Sequence, residues 1–355
     1  MMHNKIVMLG TTSQGGIASV VDVYRAAGLF QRFPIVYLAT HRGGGRLAKL
    51  GALLLALAKF GALLLSGQVA LVHIHVASRA SFWRKSLFFW LARPFRVRTI
   101  LHLHGGEFSV FYHKECGPVR RALVRAVFDR ATRIVVLSAA WKDFLATITR
   151  NPNVEAIHNP VIVPGQPAWE QRRPGQVVFL GKLGPNKGSY DLLEAASMLL
   201  ARRQQLDLML GGDGEVQQTR ARVSELGIGE HVKVLGWVGP EQRNALLASA
   251  SVFVLPSYHE GLPMSILEAM AAGLPVLATP VGGIPELLTD GVEGYMVQPG
   301  DVEGLVRCMQ SLLDDQALAQ RMGAAGRRKI ETTFSAGAVL PRVEKIYQDL
   351  GIQPV

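Results

Sequence analysis

The chain contains 355 residues, of which 49% are apolar, and carries a formal net charge of +11. This length favours two domains, and the apolar content is ample for packed cores. The two cysteines, Cys116 and Cys308, lie far apart in the sequence, which argues against a disulfide framework and a cysteine zinc site and fits a reducing compartment.

The basic excess lies entirely in the first half of the chain. Residues 1–170 contain 21 Lys and Arg against 7 Asp and Glu, a net charge of +14, whereas residues 171–355 contain 17 against 20, a net charge of −3. Such a field favours an anionic partner, which is a membrane surface, a nucleic acid or a phosphorylated substrate. The charge alone does not choose among these three.

Short segments rich in β-branched residues alternate with helical stretches from one end of the chain to the other. This alternation is typical of parallel sheets with crossover helices. Residues 159–175 contain four prolines and no periodicity, as expected of a linker. The predicted strands are KIVML, PIVYL, ALVHIH, RTILHLH, RIVVL and VEAIH before this segment, and QVVFLG, LDLMLGG, VKVLGW, SVFVLPS, PVLAT and GYMV after it. We therefore expect an α/β protein with two Rossmann-like, doubly wound domains that face each other across a cleft.

The N-terminal residues, MMHN, lead directly into the first predicted strand. We find no apolar stretch long enough for a signal peptide there, so we expect a cytoplasmic protein. The first strand is followed by GTTSQGGIASVV, in which Gly15 and Gly16 precede a predicted helix. This segment lacks the G-x-G-x-x-G spacing of a dinucleotide-binding fingerprint.

A long apolar segment, residues 46–67, predicts a helix about long enough to span a bilayer, although Lys49 and Lys59 interrupt it. At about 100° per residue, one side of this helix carries Leu50, Leu53, Leu54, Leu57 and Leu64. We expect the helix either to lie in a membrane interface or to cover the protein core. The following residues, 78–98, combine six Lys and Arg with large aromatic side chains, which suits an anionic membrane surface. Packing of both helices on the first sheet is the alternative.

Four histidines lie in two neighbouring predicted strands, His73 and His75 in the first and His102 and His104 in the second. For His73, His75 and His102 we favour hydrogen-bonded core positions. A metal site of four imidazoles is the less favoured interpretation, because no carboxylate pair lies near them in the sequence.

Two lysines occupy the loop that follows the first strand of the second half. Lys182 and Lys187 lie in FLGKLGPNKG, where two ammonium groups at the carboxyl end of a strand suit a diphosphate. Solvated loop lysines are the alternative. Two further loops, LGGDGEV and LGWVG, supply glycines that allow close approach of the backbone, or form tight turns only.

The segment HEGLPMSILEAMAAG places Glu260 in a loop and Glu268 inside the helix that follows. Pro263 fits the first turn of this helix, and Gly273 and Pro275 close it. The amides at its N-terminus suit an anion such as phosphate. The two carboxylates are too far apart in the sequence to predict an acid pair, and hydrogen bonds to two parts of a long polar ligand fit better. An ordinary helix with two unrelated glutamates is the alternative.

These motifs resemble those of retaining glycosyltransferases of the GT-B fold, in the large family 4, the glycosyl transferases group 1. The resemblance rests on Glu260 and Glu268 with seven residues between them, on Gly181–Gly188, on the GDG at Gly212–Gly214 and on the segment PVGGIPEL. It covers nearly the whole chain and is densest between residues 181 and 294. Lys182 departs from the pattern, because the family most often has Arg there.

The resemblance implies a role for each matching residue of the second half. Lys182 and Lys187 would hold the diphosphate of a nucleotide-sugar donor, which is a UDP- or GDP-linked sugar. Glu260 would bind hydroxyls of the transferred sugar and Glu268 the ribose. The remaining contacts would come from the amides of Gly261 and Leu262, to the sugar and phosphate, and from the backbone near Val238, to the base.

In the first half, the resemblance implies that the diglycine Gly15 and Gly16 lets the chain approach the donor phosphate and the acceptor. It also implies that His104 lies near the reacting sugar. It divides the chain into an acceptor domain, residues 1–165, a nucleotide-sugar domain, residues 166–334, and a C-terminal helix, residues 335–355, that can return to the first domain. The resemblance also implies a hexosyltransferase without a cofactor. No D-x-D occurs in the sequence, so we expect the reaction to need no divalent metal. The leaving diphosphate would help to take the proton.

For the acceptor we favour a lipid-linked saccharide of surface polysaccharide or glycolipid synthesis, reached from the inner face of the cytoplasmic membrane. A soluble acceptor is one alternative. Another is a nucleotide-sugar epimerase of the same fold, which would release a free altered sugar. We expect no nucleic-acid partner, since no RNP-like motif is present and the donor-site loops would stay unexplained.

Overall fold

The computed structural model describes residues 5–13, 15–165, 169–202 and 205–355. The chain divides into two compact units, one formed by Met1–Pro160 with Ala336–Val355 and the other by Val161–Ser335. The predicted second domain begins at residue 166, which lies outside the described residues, as do the four residues that precede the first strand.

The first unit is built around a six-stranded parallel sheet, and all six strands predicted for this half are present. The residues of β1 from Ile6 to Leu9 are completely buried, as expected of a parallel sheet that is covered on both faces. The strands are β1 (Lys5–Gly10), β2 (Ile35–Ala39), β3 (Val69–Val76), β4 (Arg98–Leu103), β5 (Arg133–Val136) and β6 (Val154–Ala156). Their order is β2-β1-β3-β4-β5-β6, so the order reverses between β1 and β3.

Helices connect these strands and cover the sheet. They are α1 (Gly16–Ala26), α2 (Leu29–Arg32), α3 (Arg46–Leu65), α4 (Ala80–Ala92), α5 (Phe108–Val110), α6 (Pro118–Arg130) and α7 (Ala139–Ala146), with a 3-10 turn at Arg93–Phe95 and a π turn at Phe111–Glu115. The aromatic core under α4 includes Phe82, Phe108 and Phe128, whose rings contact one another in pairs.

The second unit contains the other six predicted strands, again in one parallel sheet. They are β7 (Gln176–Leu180), β8 (Asp207–Gly211), β9 (Val232–Gly236), β10 (Val252–Leu255), β11 (Val276–Ala278) and β12 (Gly294–Met296). The strand order is β12-β11-β10-β7-β8-β9, which is that of a classic dinucleotide-binding sheet. The order reverses between β7 and β10, and ligands of such sheets bind beyond the carboxyl ends of the strands at this position.

The helices of the second unit are α8 (Ser189–Ala201), α9 (Val216–Glu225), α10 (Pro240–Ser249), α11 (Met264–Ala271), α12 (Ile284–Leu287), α13 (Val302–Asp314) and α14 (Gln316–Lys329), with 3-10 turns at Trp169–Gln171 and Pro185–Lys187 and a π turn at Ile330–Phe334. Buried Arg172 attaches the segment before β7 to this unit, because its guanidinium donates to the carbonyls of Leu247, Ala250 and Ala272.

The last helix of the chain, α15 (Ala336–Asp349), packs within the first unit. Its Tyr347 hydroxyl lies 2.6 Å from Nδ1 of His73, and its Glu344 accepts a hydrogen bond of 2.8 Å from Nε of Arg32. The guanidinium of Arg342 also donates to the carbonyl of Ala156 in β6, at 2.7 Å. The end of the chain is therefore held against α2, β3 and β6 of the first unit.

Helix α3 packs on the sheet through part of the predicted leucine side, because Leu64 is buried and Leu53 and Leu57 are partly buried against the core. Its buried residues are Ala56, Phe60 and Leu64, whereas Leu50 and Leu54 are 52% and 57% exposed. Apolar residues surround most of this helix, so their spacing does not decide which stripe packs. Among the described residues, α3 is the one helix that is long and apolar enough to cross a membrane by length and composition.

Helix α4 corrects the prediction that all the basic side chains of residues 78–98 suit a membrane surface. Lys85 is 1% exposed, and its ammonium donates to the carbonyl of His75. Burial lowers the pKa of Lys85 to about 7. The exposed basic residues of this segment include Arg93 and Arg96, which lie near exposed Phe95.

Candidate functional site

Two loops of the second unit contact each other where the strand order reverses. The loop after β7 carries Lys187, and the loop after β10 carries Glu260. The carbonyl of Asn186 accepts a hydrogen bond of 3.0 Å from the amide of Tyr258. Gly188 has a φ of 66°, and a Cβ there would overlap the carbonyl of Pro256, so glycine lets the two loops approach. The two loops therefore lie together, as the sequence predicts.

Glu260 lies in a buried polar cluster at this junction. Its side chain is 8% exposed, and its Oε1 lies 2.5 Å from Nζ of Lys187 and 2.8 Å from the Ser257 hydroxyl, which donates to it. The ammonium of Lys187 also donates to the carbonyl of His259, at 3.2 Å. An ion pair with further hydrogen bonds is what a buried carboxylate requires. The structure thus fixes an ammonium and a carboxylate side by side at the carboxyl ends of β7 and β10.

The loop after β8 completes this edge of the sheet. The amide of Leu183 donates to the carbonyl of Asp213 at 2.7 Å, and the amide of Glu215 donates back to the carbonyl of Leu183 at 3.0 Å. Gly212 has a φ of 153°, and a Cβ there would overlap the carbonyl of Gly181. This pairing brings the GDG segment against the loop that carries Lys182, whose side chain is exposed.

Gly261 and Leu262 connect Glu260 to helix α11. The carbonyl of Gly261 accepts a hydrogen bond of 2.7 Å from the amide of Gly283, so the PVGGIPEL segment supports this loop from behind. Leu262 is 3% exposed. Pro263 directly precedes α11 rather than lying within its first turn. The amides at the start of α11 therefore follow Glu260 within a few residues.

Glu268 has a partner that the sequence analysis missed. Its Oε1 lies 3.1 Å from Nη1 of Arg243 in α10, and its side chain is 15% exposed. Burial raises the pKa of Glu268 to about 7, against the opposite effect of the Arg243 charge. No motif in the sequence of α10 indicates this contact, because the two residues belong to different loop and helix connections and meet only in the fold.

Val238 lies in the loop after β9. It is 8% exposed and contacts the end of β8, where a Cβ on Gly211 would lie against its side chain. Its neighbour Trp237 is 47% exposed. The proposed contact of the Val238 backbone with a base stays a prediction, as do the binding roles of the other residues.

In the first unit, Gly16 begins helix α1 directly after the loop that follows β1. A Cβ at Gly16 would meet no atom of the described residues within 4 Å, so the backbone is open on this side. The loop lies where the strand order reverses between β1 and β3. This is where a ligand of a doubly wound sheet is expected.

The four histidines form one column on a face of the first sheet. Nε2 of His73 lies 3.2 Å from Nδ1 of His102, and Nδ1 of His75 lies 2.8 Å from Nε2 of His104. The side chain of Asn159 also hydrogen-bonds with His104. The column supports hydrogen-bonded core positions for the three deeper histidines.

Burial keeps these imidazoles neutral. It lowers the pKa of His73 and His104 to about 3 and holds the pKa of His75 and His102 well below the usual range. His104 is therefore a neutral donor or acceptor at neutral pH. Ring nitrogens of the three deeper histidines lie within 4.8 Å of one another, a spacing that could hold a metal ion. The expectation that the reaction needs no divalent metal therefore stays a prediction.

The pKa of Glu268 makes its predicted role testable. If its carboxylate accepts a hydrogen bond from the ligand, the affinity for nucleoside diphosphate will fall by up to about tenfold between about pH 8 and pH 6, because protonation removes an acceptor. Calorimetric titration across this range measures the effect. Replacement of Glu268 by Gln will give a weaker affinity that retains only the pH dependence of the ligand phosphate. Equal pH dependence in both proteins would contradict the role.

Two family profiles cover most of the chain. Residues 12–160 match the profile described as glycosyl transferase 4-like domain, and residues 168–329 match that of glycosyl transferases group 1. A GDP-mannose-dependent monoacylated alpha-(1-6)-phosphatidylinositol monomannoside mannosyltransferase of Corynebacterium glutamicum is 33% identical over 174 residues, 47% of this chain and 45% of that protein. The chain spans between 35% and 53% of the length of the curated relatives it matches.

Solved structures share the fold at low identity. Sucrose-phosphate synthase from Thermosynechococcus elongatus has a TM-score of 0.81 at 20% identity, over 98% of this chain and 99% of that chain. HepE of Anabaena, in complex with UDP and glucose, has a TM-score of 0.77 at 17% identity, over 98% of this chain and 100% of that chain. The two parallel six-stranded sheets have the predicted GT-B fold.

Proposed function

The chain belongs to the glycosyl transferase group 1 family, and we propose that it transfers a sugar from a nucleotide-diphosphate sugar to an acceptor with retention of the anomeric configuration. The contact between Lys187 and Glu260 carries this proposal. It sets a cation for a diphosphate beside a carboxylate for sugar hydroxyls at the position of the sheet where ligands bind. The structure of HepE in complex with UDP and glucose supports a donor of this class.

We assign the donor along the edge of the second sheet. The ammonium groups of Lys182 and Lys187 face the diphosphate, and the amides of Gly261 and Leu262 face the phosphate and the sugar. Glu260 accepts hydrogen bonds from the transferred sugar, and Glu268, held by Arg243 at 3.1 Å, accepts one from the ribose. The donor then lies along one loop and one helix, from its sugar to its ribose.

In the proposed reaction the bond between the anomeric carbon and the diphosphate oxygen breaks, and a bond from the acceptor oxygen to this carbon forms on the same face. The acceptor proton passes to the leaving diphosphate. Lys187 and the N-terminal amides of α11 stabilise the negative charge that develops on the diphosphate. This charge stabilisation replaces the role that a divalent ion has in other transferases, so we propose that the reaction is independent of divalent metal.

We propose a lipid-linked saccharide as the acceptor. The net charge of +14 on residues 1–170 and the exposed leucines of α3 support this choice. The similar mannosyltransferase of C. glutamicum, whose name specifies a phosphatidylinositol mannoside acceptor, also supports it. A soluble acceptor is the alternative for a protein that lacks affinity for lipid.

Transfer of label tests the proposed reaction. Purified protein receives a donor labelled in the sugar, either UDP- or GDP-linked, with or without a lipid extract, and with EDTA in a parallel sample. We expect label in the lipid phase only when extract is present, with the α configuration of the donor by NMR and no effect of EDTA. Release of a free altered sugar without extract would support an epimerase instead. An inverted configuration would contradict retention.

We further propose that the protein docks on the inner face of the cytoplasmic membrane. It will float with vesicles that contain anionic lipid and dissociate as salt rises, since about 0.1 M salt screens charges beyond about 10 Å. Replacing exposed Arg93 and Arg96 by Gln will weaken flotation by about tenfold.

The same loss of charge in the second unit, by replacing exposed Arg321 and Arg328 with Gln, serves as the control and will leave flotation nearly unchanged. Binding of wild-type protein to neutral vesicles should be weaker than to anionic ones. Failure of wild-type protein to bind anionic vesicles at low salt would refute docking through charge.

A further inference from the structure

A groove of about 350 Å³ lies between strand β2 and helix α3 in the first unit. This volume is in the range of small-molecule sites. On the helix side, the groove follows residues 51, 52, 55, 56 and 59, which share one stripe about 12 Å long. Tyr37, Leu38 and Ala39 line the opposite side. The lining of the groove therefore extends along the helix.

The walls of this groove are apolar and held in place. Leu38 and Ala56 are 7% and 4% exposed. The hydroxyl of Tyr37 donates to the carbonyl of Thr11 at 2.8 Å, and the guanidinium of Arg25 lies 4.6 Å from the centre of the Tyr37 ring. A fixed aromatic wall over an apolar floor suits a hydrocarbon chain more than a sugar or a nucleotide.

The charged residues of the groove lining are both cations. Arg42 and Lys59 line it, and neither forms an ion pair with a carboxylate in the described part of the chain. Nε of Arg42 donates to the carbonyl of Ala48 at 3.3 Å, which directs this side chain towards the first turns of α3. The groove thus combines an apolar floor with cations that complement a phosphate.

The outer side of α3 offers an approach for a lipid. Leu55 lines the groove and is 57% exposed, and Leu50 and Leu54 beside it in the helix are exposed to a similar extent. Exposed apolar patches that are rimmed by polar or charged residues mark interaction sites and ligand-binding grooves. Leu55 therefore gives a hydrocarbon chain an exposed apolar contact at the groove.

We propose that this groove binds the hydrocarbon chain of a lipid phosphate, with the phosphate facing Arg42 and Lys59. This inference rests on the proposed lipid-linked acceptor and gives that acceptor a site on the first unit. The lipid is held by its chain and phosphate, which all sugars on the same carrier share. The groove therefore selects the carrier and leaves the choice of sugar to other residues.

Binding of three small probes tests the site: farnesyl phosphate, farnesol and inorganic phosphate, each titrated by calorimetry below its micellar concentration. Farnesyl phosphate will bind at least about tenfold more tightly than the other two, because it alone offers a chain and a charge. Inorganic phosphate that binds as tightly as farnesyl phosphate would overturn the proposal.

A matched pair of substitutions separates groove filling from a general effect on the helix. A Cβ at Gly51, in the groove, or at Gly61, outside its lining, would meet no atom within 4 Å in the part of the chain that the structure describes. Leucine also favours a helix over glycine. Gly51→Leu will weaken the affinity for farnesyl phosphate by about tenfold or more, whereas Gly61→Leu will leave this affinity unchanged. Equal affinities of the two variants would overturn the proposal.

Charge and donor binding supply the remaining controls. The double variant Arg42→Gln with Lys59→Gln will bind farnesyl phosphate only as tightly as farnesol. The control variant Lys142→Gln with Arg150→Gln, which removes two exposed cations elsewhere on this unit, will keep the wild-type affinity. All variants will bind nucleoside diphosphate as wild type does. A variant that loses lipid binding but keeps nucleotide binding is altered in the groove alone. A wild-type protein that binds no nucleotide would instead contradict the proposed function.

Discussion

Replacing Glu260 by Gln will lower the rate of sugar transfer by about a hundredfold to a thousandfold, whereas affinity for nucleoside diphosphate will change by less than about threefold. The side chain of Glu260 is 8% exposed and held by Lys187 and Ser257, so Gln keeps its shape but loses its charge. Its proposed ligands are hydroxyls of the transferred sugar, which the nucleoside diphosphate lacks. Steady-state rates and calorimetry with UDP and GDP give the two numbers.

The control for Glu260 is Glu303, an exposed residue of α13 whose contact with Arg202 is 3.9 Å. Glu303→Gln removes the same charge from the same unit and will leave transfer and affinity unchanged. A Glu260→Gln protein that loses affinity for UDP or GDP as strongly as it loses transfer would show that this carboxylate acts on the nucleotide and not on the sugar.

Replacing Lys187 by Ala will weaken the affinity for the sugar donor and the affinity for the nucleoside diphosphate alike, by about thirtyfold or more. The affinity for the bare nucleoside will not change. The ammonium would contact the diphosphate that the first two ligands share. Removing it also leaves the carboxylate of Glu260 without the cation now 2.5 Å away, which raises the cost of burying that charge. Calorimetry with all three ligands measures the pattern.

Lys233 provides the matched control for Lys187. It is an exposed lysine of β9 in the same unit, and Lys233→Ala will not change any of the three affinities. The melting temperature of each variant shows whether the protein still folds. If Lys187→Ala weakened the bare nucleoside as much as the diphosphate, the residue would act through the structure of the loop and not on the diphosphate.

The sequence predicts the sheets well because the evidence is local. Strands of a parallel sheet are buried on both faces, so continuous segments such as VVF in β7 and VFV in β10 are recognisable without any tertiary contact. A glycine in a loop, such as Gly188, likewise indicates a place where another backbone segment can approach closely. All twelve strands and the meeting of the Lys187 and Glu260 loops are therefore readable from the chain.

The features that the sequence does not reveal depend on contacts between distant residues. Arg243 and Glu268 meet at 3.1 Å although 25 positions separate them, and no spacing rule relates a residue of α10 to one of α11. Helix α3 is apolar on most sides, so hydropathy does not show that Ala56 and Phe60 pack on the sheet while Leu50 and Leu54 stay exposed. Lys85 is buried in a basic segment because its ammonium reaches the carbonyl of His75, a contact that composition does not predict.

A nucleotide screen tests the central claim, that the edge of the second sheet binds a nucleoside diphosphate, most directly. Wild-type protein and the Lys187→Ala variant are melted with UDP, GDP, the corresponding monophosphates and the bare nucleosides. We predict that at least one diphosphate stabilises wild-type protein, by about 2.7 kcal/mol at 100 times its dissociation constant, and that the variant loses most of this effect. No stabilisation by any diphosphate at millimolar concentration, or equal stabilisation of both proteins, would contradict the account.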